Sequence, residues 1–170
     1  MAPTRDGSTM VTPRALVALA TVLLLARIAV SAYEQTHKVQ AKSLIHWAAV
    51  TEAHPLPECK KPRLLKFYAE WSEPCRRLES TVLVNRSVGE LIASHFEPFA
   101  VRDMVKEEGA NTEYVTQLQK KYRVFAFPTL VVVAPNGEAV ATLVGCSSAL
   151  ATHRFLARAA SGRTAQPGLD

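Results

Sequence analysis

Apolar residues follow two kinds of pattern along this chain. One is a single long run, Ala15 to Ala26, broken in polarity only by Thr21. The others are short, bounded segments downstream. Arg63-Leu64-Leu65-Lys66-Phe67-Tyr68-Ala69 is an apolar, aromatic run suited to a buried strand. A helix is expected from Ser72 through Leu78 and Val82, with Ser72 as its cap and Pro74 in its first turn. Ser87 to Phe96 places Val88, Leu91, Ile92 and Phe96 three and four apart, the spacing of one helix face. Phe99-Ala100-Val101 reads as a strand, and Thr112 to Tyr122 as a helix. Thr129 to Val133 is a β-branched strand behind Pro128. Pro135-Asn136-Gly137 signals a hairpin turn, with Ala139 to Val144 as the returning strand. Leu150 to Ala160 closes the series as a helix, and 161–170 reads as a loose tail.

The order is strand–helix–strand–helix–strand–strand–helix. Crossover helices followed by a terminal hairpin imply an α/β fold, a mixed central sheet with helices on both faces. Ser43 to Ala53 is ambiguous in type, and the three prolines of 54–62 mark a loop. The domain is therefore expected over 44–160, with 33–43 as a polar spacer.

The long run has a different meaning. Arg5 and Arg14 precede it, and Arg27-Ile28-Ala29-Val30-Ser31-Ala32 follows. A basic start, an apolar middle and small residues at the end make an export signal over 1–32, with Val30-Ser31-Ala32 as the cleavage site. The competing reading is an uncleaved transmembrane anchor over about 15–32. As a helix it would measure roughly 27 Å at about 1.5 Å per residue, close to the roughly 30 Å of a bilayer core. Both readings stay open. Arg5 and Arg14 before the run and Lys38 and Lys42 after it nearly balance, so flanking charge does not settle topology. The export-like start favours a domain outside the cytoplasm, tethered or released, in a periplasm-like compartment.

Composition narrows the chemistry. The net charge of +5 is partly N-terminal: with 1–32 set aside, 17 basic and 14 acidic side chains remain, scattered along the domain. That balance argues against nucleic acid. The five histidines, His37, His46, His54, His95 and His153, lack metal-ligand spacing, and no phosphate loop or dinucleotide fingerprint occurs, so neither metal nor cofactor is expected. The three cysteines, Cys59, Cys75 and Cys146, allow one internal disulfide at most, and no two of them are separated by two residues.

Four segments in order resemble the thioredoxin superfamily, and within it the envelope thiol–disulfide interchange proteins and their membrane-tethered relatives. Lys66-Phe67-Tyr68-Ala69-Glu70-Trp71-Ser72-Glu73-Pro74-Cys75 is similar to the strand and active-site turn, where the family usually has Trp-Cys-x-x-Cys. Tyr122 to Leu130 resembles the segment bearing the cis-proline, here Pro128. Asn136-Gly137 matches the hairpin turn, and Val144-Gly145 matches a glycine beside the active site. The resemblance spans roughly 44–160 and departs from the family twice. Ser72 stands where the nucleophilic cysteine is expected, at an exposed helix start. Lys66 stands where a buried carboxylate usually helps move the proton of the second cysteine.

The resemblance implies thiol–disulfide exchange and redox homeostasis in the cell envelope, with protein thiols or disulfides as partners. Cys75 would be the more buried, resolving thiol, and Cys146, next to Gly145, is a candidate partner for it. Trp71, Phe127 and Pro128 would flank a substrate groove. Serine forms no disulfide, and no histidine in the motif could activate it. The other class of reading is therefore a non-catalytic module that holds a peptide or partner protein in the same groove.

Overall fold

The computed structural model describes residues 21–27 and 45–162. The chain divides into two units, Met1–Gln40 and Ala41–Asp170. In the first, 21–27 is helical and is labelled α1. Among the described residues, no helix is long and apolar enough to cross a membrane. The rest of the expected signal or anchor, the 33–43 spacer and the tail beyond 162 lie outside the described residues.

The second unit is built on five strands: β1 (Ala48–Val50), β2 (Arg63–Tyr68), β3 (Glu97–Arg102), β4 (Thr129–Val133) and β5 (Ala139–Val144). They lie in the order β1-β3-β2-β4-β5. β1 and β2 each pair with β3 in parallel, and β4 runs antiparallel to both β2 and β5. The sheet is mixed, as expected, but it has one more strand than the sequence order implied. β1 is only three residues long, two of them alanine, so it carries little strand signal of its own. Its pairing with Phe99–Val101 makes it a strand.

Among its described residues, five helices accompany the sheet: α2 (Glu73–Arg77), α3 (Arg86–His95), α4 (Val105–Glu108), α5 (Glu113–Lys121) and α6 (Ala149–Ala160). Their starts are chemically marked. Asn85, Thr112 and Ser148 each accept backbone N–H bonds at the head of α3, α5 and α6. The short α4 falls in a polar stretch that was not expected to be helical. The helix expected from Ser72 to Val82 is not continuous. After Arg77 it widens into a π-helical turn over Leu78–Val82, where the Leu83 N–H bonds the Leu78 carbonyl at 3.0 Å.

Alternation along β2 divides the core between the two faces of the sheet. Leu64 joins Leu78, Val82, Val88, Ile92, Leu130 and Leu156 on one side. Leu65 and Phe67 join Val115, Leu118, Tyr122, Val131 and Val133 on the other. Every residue of β4 is buried, which is why it reads as an unbroken apolar run. The hairpin turns at Gly137, whose φ of 86° suits glycine, and whose N–H bonds the Ala134 carbonyl at 2.9 Å.

Candidate functional site

The site lies at the carboxyl end of β2, where the chain turns through Ala69–Trp71 into α2. The Ser72 N–H bonds the Ala69 carbonyl at 3.1 Å and closes this turn. Ser72 then occupies the N-cap position with extended backbone, and its carbonyl accepts from Cys75 and Arg76 at 3.1 and 3.2 Å. Glu73 and Pro74 form the first turn. Glu73 accepts from Arg76 Nε at 3.0 Å, and Arg76 Nη1 reaches back to the Glu70 carbonyl at 2.9 Å. These contacts are exposed and stiffen the turn without filling it.

Two expectations for Ser72 are corrected here. Its side chain makes no capping bond. Instead the hydroxyl donates to the Phe127 carbonyl at 3.2 Å. Nor is position 72 exposed: Ser72 is 3% accessible. The hydroxyl is short enough to turn inward, where the loop before β4 offers it a carbonyl. Phe127 is joined to Pro128 by a cis peptide bond. The Pro128 carbonyl in turn accepts from the Gly145 N–H at 2.7 Å, at a φ of 84°. The motif turn, the proline loop and Gly145 are thus linked by hydrogen bonds from Ser72 to β5.

The mouth of this arrangement is aromatic. Trp71, 43% exposed, meets Phe127 edge to face with centroids 6.3 Å apart. The Lys106 ammonium lies 3.7 Å from the centre of the Trp71 ring. Phe125, just before the proline loop, and Val144, paired with Thr129 across β4 and β5, are also exposed. Lys106 was not anticipated, because its role depends on the fold of α4.

Beneath the turn, Lys66 is buried in β2. It pairs with the carboxylate of Glu79 and lies 4.5 Å from the Trp47 ring centre and 5.0 Å from that of Tyr68. An ammonium this deep needs a countercharge. The π-helical turn supplies one by aiming Glu79 back at the sheet. The strand therefore carries the base and the helix the acid. The signal in the sequence was the lone lysine in an apolar strand, which called for a carboxylate that spacing alone did not identify.

The three cysteines are free thiols. Cys75 is buried one turn into α2, whereas Cys59 and Cys146 are half-buried. Cys146 follows Gly145 and packs at the edge of the Leu78–Leu156 core. Cys59 stands apart, in the proline-rich loop, with Sγ 3.6 Å from the Pro57 carbonyl. Tyr68, at the end of β2, is held above its ordinary value by burial, with Arg102 opposing and Glu70, Glu79 and Cys75 adding to the rise. Among the described residues, no cluster of His, Cys, Asp and Glu could hold a metal ion.

Chemically, this is a closed site. Its one motif cysteine is buried, and the position in front of it holds a hydroxyl already committed to a backbone carbonyl.

The sequence matches the thioredoxin-like domain family over residues 54–160. A search of the curated proteins found no match. Among solved structures, a thioredoxin from Thermus thermophilus is 21% identical, with a TM-score of 0.56 over 70% of this chain and 91% of its own. A candidate disulphide isomerase from Bacteroides thetaiotaomicron is 27% identical, with a TM-score of 0.53 over 72% of this chain and 95% of its own. The oxidised C-terminal domain of DsbD from Neisseria meningitidis is 25% identical, with a TM-score of 0.48 over 58% of this chain and 79% of its own. With the strand order, the motif turn and the family match in agreement, the chain belongs to the thioredoxin-like domain family.

Proposed function

We propose that this chain is an envelope protein of the thiol–disulfide class that engages protein segments at its groove but does not run the two-cysteine cycle. Membership of the thioredoxin-like family supports thiol–disulfide exchange as the general class. The similarity to a candidate disulphide isomerase points the same way. The observation that carries the departure is the Ser72 hydroxyl, buried and bonded to the Phe127 carbonyl. Exchange needs an accessible thiolate and a second thiol to release the mixed disulfide. Position 72 offers neither, and Cys75 behind it is buried. The half-exposed Trp71, edge to face with Phe127 next to Pro128, supports an apolar surface for an extended segment of a partner protein.

The envelope location rests on the apolar run Ala15–Ala26 behind basic residues. Protease added to intact spheroplasts is expected to digest the domain; full protection there excludes this location.

A second reading keeps an activity at Cys75, either as a single reactive thiol or paired with Cys146. The retained cysteine at the family position favours it. Insulin reduction by dithiothreitol separates the two. Under the first reading the protein adds nothing to the rate of the reagent alone, and Ser72→Cys gains activity. Catalysis by the unaltered chain, lost in Cys75→Ser, establishes the second.

A further inference from the structure

A cleft of about 550 Å³ opens at the carboxyl ends of β1, β3 and β2, beside the site but separate from its groove. Sheet register explains why it exists. Ala49 pairs with Ala100 across β1 and β3, so two methyl groups form a shallow floor where larger strand residues would fill the space. Tyr68 pairs with Arg102 across β2 and β3, so these two side chains stand together on the wall. The volume falls within the roughly 300–1,000 Å³ common for small-molecule sites, and the lining is mostly apolar, with Val115 contributing from α5.

One donor on the wall lacks an acceptor. Arg102 Nε is buried and has no hydrogen-bond partner, although Nη1 of the same guanidinium pairs with Glu70 at 3.1 Å. Tyr68 stands beside it on the same wall, its phenol pKa raised chiefly by burial, so its hydroxyl offers a second donor. Asn111 has nothing to offer them: its amide is spent on Asp103, Gln119 and the Met104 N–H. Glu108 lines the cleft from an exposed position, where solvent screens its charge. A buried donor without a partner marks a place for an outside acceptor. A guanidinium favours that acceptor when it is anionic.

We propose that this cleft binds a small carboxylate carried on an apolar body, with the carboxylate at Arg102 and Tyr68 and the body over Ala49 and Ala100.

The test titrates 3-phenylpropionate into the full chain by calorimetry, with 3-phenylpropanol in parallel. Saturable binding of the acid is expected, weakened about tenfold in the alcohol and about tenfold in Arg102→Met, the loss of one charged hydrogen bond. Ala100→Leu, which fills the floor, is expected to abolish binding. Because that variant could disturb the sheet, Ala49→Leu at the exposed edge repeats the test, and circular dichroism verifies folding of both. Absence of saturable binding overturns the proposal. So does equal affinity for the alcohol, or unchanged affinity in both folded leucine variants. None of these outcomes depends on thiol chemistry at Cys75.

Discussion

The Ser72 hydroxyl donates to the Phe127 carbonyl at 3.2 Å, joining two segments 55 residues apart. At the position that the resemblance assigns to the family's nucleophile, the chain has a strut. The bond ties the start of α2 to the proline loop, and Cys75 behind it is buried. Ser72→Ala is expected to destabilise the domain by about 1 kcal/mol, the net worth of one such bond, read from the urea midpoint. Ser72→Cys is expected to keep the fold while exchanging a committed hydroxyl for a thiol; its signature is insulin reduction above the rate of dithiothreitol alone.

Lys66 and Glu79 form the buried pair beneath the turn, with Glu79 partly open to solvent. Removing the acid leaves an ammonium among Trp47, Tyr68 and apolar neighbours. Glu79→Ala is expected to cost about 2 kcal/mol, between the values of an exposed and a fully buried pair. Lys66→Met replaces the ammonium by a side chain suited to the strand and is expected to cost less. Equal losses in the two variants would show that the charge on Lys66 is not what needs satisfying.

Tyr68 makes stability sensitive to alkali. Its phenol is raised above 10.0, chiefly by burial, so the folded state holds the proton more tightly than the unfolded chain does. The contribution is complete below pH 10.0 and is lost as pH rises through the raised value. Urea midpoints on either side of pH 10 are expected to fall on the alkaline side, and Tyr68→Phe to fall less steeply.

Cysteine accessibility gives a direct check on the closed site. Maleimide added to the native protein is expected to modify Cys59 and Cys146 before Cys75, which is buried. In denaturant all three are expected to react alike. If Cys75 reacts first in the native state, the site is open in solution and the single-thiol reading gains. If Cys75 and Cys146 resist modification until a reductant is added, they form a disulfide.

Much of this protein was legible in the order of its residues. The apolar runs of β2 and β4, the helical spacings of α3, α5 and α6, and the turn at Asn136-Gly137 are local patterns, because burial repeats along a strand or helix with its own period. They also located the motif turn and the proline loop. The tertiary structure decided the rest. β1 became a strand by pairing with β3, not by its own two alanines. Ser72 was eligible as a cap, yet its hydroxyl turned to Phe127. Lys66 read as the replacement of a family carboxylate, and only the π-helical turn brought Glu79 to it as a partner. Tyr68 and Arg102 became neighbours through sheet register. Periodicity records which face of an element is buried. The partner of a polar group is chosen by contacts between elements far apart in the chain, and these exist only once the sheet has closed.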